Sequence, residues 1–222
     1  MPSLIPLPAT LEWGGAEHML TERSAIGCRA GAGPEETGAA RAARLVLSTT
    51  TGLPLPVADK PDILVGIDAD LPAEGYRLEV RPDGVTITAA DRRGALWAAQ
   101  TLLQLGGDDV YAAPLGGPVR VATARIEDAP RFAWRGAMID SARHFLQVAE
   151  ILDFIDWMAR HKLNILHWHL TDDQGWRVAS EHYPLLAEKA SWRPHTVNPT
   201  WGGDGTPHGG CYTISQIAAV AE

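Results

Sequence analysis

Two groups of polar and charged residues follow two short apolar segments in the second half of the sequence. Residues 136–140 (GAMID) and 163–170 (LNILHWHL) are apolar runs, as is typical of strands buried in a parallel sheet. The polar residues at or after their ends are Asp140, Arg143 and His144 for the first segment and His169, Asp172, Asp173, Gln174, Trp176 and Arg177 for the second. Since ligands bind at the carboxyl ends of parallel strands, this arrangement predicts a binding or catalytic site.

Tryptophans in the same part of the chain indicate the class of ligand. They are Trp168, Trp176, Trp192 and Trp201. Flat aromatic faces pack against the apolar faces of sugar rings, while guanidinium and carboxylate groups bind sugar hydroxyls, so these residue types favour a carbohydrate. Because tryptophan is also frequent in protein cores, packing remains the alternative interpretation of these side chains.

The histidines and acids of these groups also have plain structural interpretations. His167 and His169 lie two residues apart on one predicted strand and resemble a metal-binding pair, but no third ligand follows at a suitable spacing. We therefore predict no metal ion and no cofactor, and histidines that are structural or border a pocket. Asp172 and Asp173 fit an exposed acidic turn as well as they fit a site, and Arg143 fits a surface ion pair.

The elements that must hold these residues follow a strand–helix–strand order. Between the two apolar segments, residues 148–162 place apolar side chains on one face at helical spacing. A long connection rich in Gly, Pro and Trp comes next, and a further helical pattern begins at Thr213 or Ser215. This order predicts the opening of a parallel α/β fold across residues 126–222.

The first part of the sequence, residues 1–125, predicts a separate α+β domain. Its predicted elements are a helix at 34–48, a strand at 63–67, two strands within 76–88 joined by a tight turn at Pro82-Asp83-Gly84, and a helix that Asp91 caps and that Gly106 and Gly107 end. These strands and helices are sufficient to enclose a hydrophobic core of their own.

Composition limits the partners of the chain. The 222 residues are 45% apolar and 21% charged, as in ordinary globular proteins, and the net charge is −8. This negative charge argues against nucleic acid and anionic membranes as main partners. The two cysteines, Cys28 and Cys211, give no disulfide framework. With no signal-peptide pattern at the N-terminus and no segment as long as a membrane helix, a cytoplasmic location is expected.

Several runs of residues resemble glycoside hydrolase family 20. Residues 135–145 (RGAMIDSARHF) look like the first barrel strand of that family, and residues 161–177 (HKLNILHWHLTDDQGWR) look like its second strand and following loop. Residues 75–105 are similar to the small α+β domain that precedes the barrel. The resemblance implies an α+β N-terminal domain followed by the first two β/α units of an incomplete (β/α)8 TIM barrel.

The same resemblance implies hydrolysis of terminal β-linked N-acetylhexosamine, with N-acetylglucosamine- or N-acetylgalactosamine-containing glycans as partners. In this family the substrate's own acetamido group takes part, so hydrolysis retains configuration without a protein nucleophile. Arg143 would bind hydroxyls of the terminal sugar. Asp172 would support the general acid through a histidine of a later Pro-Gly-His segment, and His169 would lie beside Asp172.

The sequence departs from the family pattern in one respect. The adjacent Asp-Glu pair that family 20 uses for catalysis, and the Pro-Gly-His segment, have no counterpart in these residues. A complete barrel takes about 250 residues, far more than the stretch from Arg131 to Glu222. The expectation is a truncated chain that is inactive alone and can self-associate through the open edge of the barrel. A non-enzymatic carbohydrate-binding or interaction module, and one half of a split enzyme, are the alternatives.

Overall fold

The computed structural model divides the chain into two units, Met1–Ala133 and Trp134–Glu222. It describes residues 3–112, 116–196 and 203–221, so Trp201 lies outside the described residues. The division falls a few residues after the boundary expected at residue 125, because the strand Val119–Asp128 crosses that point and belongs to the sheet of the first unit.

The first unit consists of strands and helices that form one sheet and its cover. In the described residues these are β1 (Thr10–Leu20), β2 (Ile26–Gly27), α1 (Pro34–Thr51), β3 (Ile63–Ile67), β4 (Tyr76–Arg81), β5 (Gly84–Ala89), α2 (Arg92–Gln104), α3 (Asp109–Ala112) and β6 (Val119–Asp128). The sheet has the order β1-β6-β4-β5-β3-β2. β3 runs parallel to both β2 and β5, and the remaining neighbours are antiparallel.

The core of this unit lies between the sheet and the helices α1 and α2, which pack against each other. Leu78 and Ile87 are paired across β4 and β5 and are fully buried. The preceding residue of β4, Arg77, points to the opposite face, where it pairs with Asp68 at 3.0 Å and Glu127 at 3.1 Å. This alternation of buried and charged side chains is what a sheet covered on one face requires.

Local signals set the ends of these helices. Asp91 caps α2, and its carboxylate accepts a hydrogen bond of 2.9 Å from the amide of Gly94. The absence of a side chain at Gly94 matters, because a Cβ there would lie 2.4 Å from the carbonyl oxygen of Gly75. Gly52 ends α1 with a left-handed φ of 72°. The predicted helices and the 76–88 strand pair are confirmed, although α1 extends to Thr51, beyond the predicted end at residue 48, and β5 extends to Ala89.

The second unit begins with two parallel strands joined by a helix. The described elements are β7 (Gly136–Asp140), α4 (Val148–Arg160), β8 (Ile165–His169), β9 (Thr171–Asp172), β10 (Gly175–Trp176), α5 (Pro184–Glu188), β11 (Trp192–Arg193), β12 (His208–Gly209) and α6 (Ile214–Ala221). β7 pairs with β8, while β9 pairs with β10 and β11 with β12 as short antiparallel ribbons. The predicted strand–helix–strand order is confirmed, and α6 begins between the two predicted starting residues.

Apolar side chains of this unit remain exposed. Ile151 and Met158 are the residues that α4 buries. On the same helix Leu152 is 43% exposed and Trp157 is 59% exposed, and Met138 in the middle of β7 is 55% exposed. Among the residues that the structure describes, none of the helices combines the length and apolarity needed to cross a bilayer.

Candidate active site

The pairing of β7 with β8 brings the ends of the two strands to one level. Asp140 lies opposite His169 in the parallel register, so both side chains are carried at the carboxyl ends of their strands. The chain after β7 stays attached to β8, because the amides of Ser141 and Ala142 both donate to the carbonyl oxygen of His169 at 3.1 Å. The loop that follows, which carries Arg143, is therefore held beside the end of β8.

Arg143 lies at the centre of the polar cluster formed there. Its guanidinium donates to Asp140 Oδ2 at 2.8 Å and to Gln174 Oε1 at 3.0 Å, and its Nη2 forms an ion pair with Asp172 Oδ2 at 2.9 Å. A guanidinium has five N–H groups, and these two hydrogen bonds leave the others for Asp172 and a ligand. The side chain is 51% exposed, and solvent or a ligand can therefore reach it.

Asp172 joins Arg143 to His169. His169 Nε2 lies 2.8 Å from Asp172 Oδ2, and the amide of Asp173 donates to Oδ1 at 2.8 Å. An ionised carboxylate can only accept, so Nε2 carries the hydrogen of this bond. A carboxylate offers about four acceptor positions, of which these contacts and the Arg143 pair use three. One position on Asp172 thus remains for a further donor.

The charges in the cluster are mutually stabilised. The pKa of Asp172 lies below its usual value, first because the Asp173 amide donates to the carboxylate, next because of the Asp173 side chain, and then because of His169 and Arg143. Burial alone would raise the pKa of Asp140, but the hydrogen bonds from the amide and guanidinium of Arg143 outweigh it and lower the pKa. The bond to Asp140 is the main cause that raises the pKa of Arg143. At neutral pH the cluster consists of two carboxylates around one guanidinium.

The sequence-predicted residues do not all lie in this cluster. Arg143, His169 and Asp172 come together, and Asp140 and Gln174 join them. Arg177 is fully buried and contacts backbone carbonyls instead. Within the described stretches, no three or more His, Cys, Asp and Glu side chains are grouped as ligands of a metal ion.

The tryptophans divide into packed and exposed side chains. Trp168 donates to Ser141 Oγ at 2.9 Å and packs edge-on against Tyr212, and Trp176 donates to the carbonyl oxygen of Val178. These two contacts are those of packing residues. Trp192 is 57% exposed and is the one described member of the predicted set with an open aromatic face.

His208 is a residue of this region that sequence reasoning missed. It stacks on His144 with the ring centroids 4.4 Å apart, and its Nε2 accepts a hydrogen bond of 3.0 Å from the amide of Phe145. Nε2 must be unprotonated to accept. Burial lowers the pKa of His208, and the neighbouring His144, Arg193 and Arg177 lower it further, against the opposing effect of Asp204. A histidine in a glycine-rich connection has no periodicity that would predict such a contact.

We predict that acidification weakens the hydrogen bond between His208 and Phe145. The pKa of folded His208 lies below the value of about 6.5 for an unfolded histidine, so the unfolded chain takes up the proton first as the pH falls. This contribution to stability is complete above about pH 6.5 and is lost as the pH falls through the folded pKa. Hydrogen exchange of the Phe145 amide, corrected for the intrinsic pH dependence, should show falling protection between pH 7.5 and 5.

The amide of Gly210 is the matched control for that measurement. It donates to the carbonyl oxygen of Ser191 at 3.2 Å, an acceptor that does not titrate. Its protection should change less with pH than that of the Phe145 amide. Equal pH dependence at the two amides would contradict the assignment of His208 as the titrating acceptor.

The sequence matches the models of two domains of one protein family. Residues 1–129 match glycosyl hydrolase family 20, domain 2, and residues 132–222 match the glycosyl hydrolase family 20 catalytic domain. The chain belongs to glycosyl hydrolase family 20. The expectation of family membership that the motifs around Arg143 and Asp172 raised is therefore confirmed.

Relatives within family 20 match nearly the whole chain. It is 34% identical to a beta-hexosaminidase of Porphyromonas gingivalis, over 99% of this chain and 28% of that protein. It is 36% identical to a beta-N-acetylhexosaminidase of Cellulomonas fimi, over 98% of this chain and 42% of that protein. The chain thus spans less than half the length of these family 20 relatives.

Solved family 20 structures share the fold of the chain. The exo beta-N-acetylglucosaminidase of Vibrio harveyi in complex with N-acetylglucosamine superposes with a TM-score of 0.83 at 30% identity, covering 98% of this chain and 33% of that one. The beta-N-acetylhexosaminidase of Streptomyces coelicolor A3(2) gives a TM-score of 0.76 at 37% identity, covering 98% of this chain and 42% of that one. The fold described above is therefore shared with a part of each of these enzymes.

Proposed function

We propose that this chain is the N-terminal part of a β-N-acetylhexosaminidase that removes terminal β-linked N-acetylhexosamine from glycans. In this proposal β7, α4 and β8 open a (β/α)8 barrel whose remaining units lie outside residues 1–222. The exposed apolar side chains Met138, Leu152 and Trp157 support it, because further strands and helices of a barrel would cover such surfaces.

The observation that carries this function is the cluster of Arg143, Asp172 and His169 at the carboxyl ends of two parallel strands. Ligands of barrel enzymes bind at that end. The N–H groups of Arg143 that make no hydrogen bond within the cluster suit a pair of vicinal hydroxyls, which a guanidinium can bind with two parallel hydrogen bonds. The N-acetylglucosamine complex of the Vibrio harveyi enzyme supports an N-acetylhexosamine as the bound sugar.

The proposed chemistry uses the substrate as its own nucleophile. The acetamido oxygen forms a bond to the anomeric carbon while the bond to the leaving oxygen breaks and a general acid protonates that oxygen. Water then opens the oxazolinium intermediate, and the configuration is retained. Arg143 holds the sugar. A histidine donates a hydrogen bond to the remaining acceptor position of Asp172, and through this histidine Asp172 orients the general acid and supports its protonation. No residue of this chain is assigned as the general acid or as the aspartate that orients the acetamido group.

Asp172→Asn tests this role in the protein that carries these residues with a complete barrel. A residue that supports the acid acts mainly in the transition state, so kcat should fall about 10- to 100-fold while KM stays within about threefold. One limb of the pH–rate profile should also move, because a charge that acts on the acid through the histidine is removed. Steady-state kinetics with an aryl N-acetyl-β-glucosaminide across pH measures both.

Asp173→Asn is the matched control for Asp172→Asn. Asp173 donates to Asp172 through its backbone amide, which this substitution keeps, although its side chain also lowers the pKa of Asp172. Its loss of kcat and its shift of the pH profile should therefore be smaller than those of Asp172→Asn. If Asp172→Asn raised KM and left kcat unchanged, Asp172 would be a sugar ligand and its proposed role beside the acid would be wrong.

A further inference from the structure

Arg177 is a buried cation in the second unit whose contacts differ from those of Arg143. Its side chain is fully buried and is the largest among the fully buried side chains of the described residues. The guanidinium donates to the carbonyl oxygens of Ser141 at 3.0 Å, Ala142 at 2.8 Å and Gly210 at 3.2 Å, and also to that of Ser191. It thus connects the segment after β7 with the segments around β11 and β12.

The space around this guanidinium is closely shaped. A Cβ at Gly175 would lie 2.4 Å from Arg177 Cζ, so the backbone of β10 packs directly on the guanidinium plane. The ring of Phe145 lies on it as well, with its centroid 5.7 Å from Cζ. Chain segments from several loops therefore meet at one planar group.

The partners of Arg177 are dipoles and not an opposite charge. The described hydrogen bonds of its guanidinium all end on backbone carbonyl oxygens. Burial lowers the pKa of Arg177, yet arginine stays charged in proteins. Burying a cation without a carboxylate partner costs desolvation free energy, so an apolar side chain would serve better at a position that needed packing alone.

The position of the carbonyls indicates what the cation does. Ser141 and Ala142 directly precede Arg143, and their amides already donate to the carbonyl oxygen of His169. Because Arg177 donates to the carbonyl oxygens of Ser141 and Ala142, both the N–H and the C=O groups of these two residues are hydrogen-bonded. The backbone that leads into Arg143 is therefore fixed relative to His169 and, through it, to Asp172.

We propose that Arg177 is a positioning residue that sets the place of Arg143 for sugar binding. This inference rests on the proposed function, since it requires that Arg143 contacts the substrate. The planar fork of arginine reaches carbonyls in several directions at fixed angles, and the compact ammonium of lysine does not. Misplacement of a binding group by about 1 Å can lower a rate about 100-fold, so small shifts of the Arg143 loop have large effects.

A double-mutant cycle tests the proposal in the protein with its complete barrel. The variants are Arg177→Lys, Arg143→Ala and the double variant, each assayed for kcat/KM with an aryl N-acetyl-β-glucosaminide. Arg177→Lys alone should lower kcat/KM by about tenfold or more. In the Arg143→Ala background the same change should lower it by less than about twofold, because the group that it positions is already gone.

Two further variants separate positioning from folding. Arg177→Met removes the buried charge while keeping an apolar chain of similar length, and its loss of kcat/KM should depend on Arg143 in the same way. Arg44→Lys is the matched control, because the Arg44 guanidinium also donates to backbone carbonyls, those of Pro54 and Leu55 in the first unit. Its kcat/KM should match that of the parent protein.

The outcomes distinguish the inference from the function on which it rests. Losses from Arg177→Lys and Arg143→Ala that multiply independently, or an unchanged kcat/KM in both Arg177 variants, would overturn the positioning role and leave the proposed function intact. An Arg143→Ala variant with nearly normal kcat/KM would overturn both.

Discussion

Replacing Arg143 with alanine is expected to lower kcat/KM for an aryl N-acetyl-β-glucosaminide by about 10- to 150-fold. A hydrogen bond to a charged group contributes about 1.5–3 kcal/mol, which corresponds to that range. The side chain is half exposed, so its removal should cost little stability and the fold should persist. The measurement is steady-state kinetics on the protein with its complete barrel, with circular dichroism as the check on folding.

Arg160→Ala is the control for that experiment. Arg160 lies in the last turn of α4, where its guanidinium contacts the ring of Trp157. α4 ends just before β8 begins, so Arg160 is near the amino end of that strand and away from the cluster at its carboxyl end. Its kcat/KM should stay within about twofold, as for a surface substitution. An Arg143→Ala variant within threefold of the parent protein would rule out Arg143 as a sugar ligand.

The second large effect is expected for residues 1–222 alone, which should give no detectable turnover of β-N-acetylhexosaminides. The proposed mechanism needs a general acid and an aspartate that orients the acetamido group, and neither is assigned to a residue of this chain. A positioned acid or base contributes about 10²- to 10⁴-fold in rate. An aryl-glycoside assay of the purified chain measures this directly. Measurable turnover would mean that the acid is among residues 1–222.

The two units of the isolated chain should also differ in resistance to protease. The first unit has a closed core between its sheet and helices. The second exposes Met138 and Leu152, and we expect it to be cleaved first or to self-associate through these surfaces. Limited proteolysis with size-exclusion chromatography separates these results. A compact monomer that resists protease throughout would contradict this prediction.

The two alternative functions that the sequence allows, a split enzyme and a carbohydrate-binding module, predict different results in the same assays. Turnover that appears when a second polypeptide is added would indicate a split enzyme. Binding of N-acetylglucosamine that depends on Arg143, in a protein that never hydrolyses the sugar even with its complete barrel, would indicate a carbohydrate-binding module. Each result differs from the one that the proposed function predicts.

Local signals made part of this structure predictable from the sequence. Asp91 and the helical spacing after it predict α2, and the apolar runs predict β7 and β8. Because the ends of parallel strands share one edge, the sequence also predicts that Arg143 and Asp172 lie close together. Each of these predictions depends on neighbours in the chain or on one general rule of strand arrangement.

Other features depend on contacts between distant residues and were not predicted. β1 contains Gly14 and Gly15 within an irregularity of its pairing with β6, and β6 alternates apolar residues with Arg and Thr, so neither strand stands out by composition. Arg177 was grouped with the polar residues of the site, although its partners lie as far away as Gly210. Sequence proximity cannot distinguish a buried arginine from an exposed one.

The network around Arg143 has a thermodynamic consequence for any ligand. An unrestrained arginine loses up to about 2 kcal/mol of rotamer entropy when a ligand fixes it. Here Asp140, Asp172 and Gln174 already hold the guanidinium before a sugar arrives. The ordering of this side chain is therefore completed during folding, and the free energy of the new hydrogen bonds to the sugar can appear as affinity.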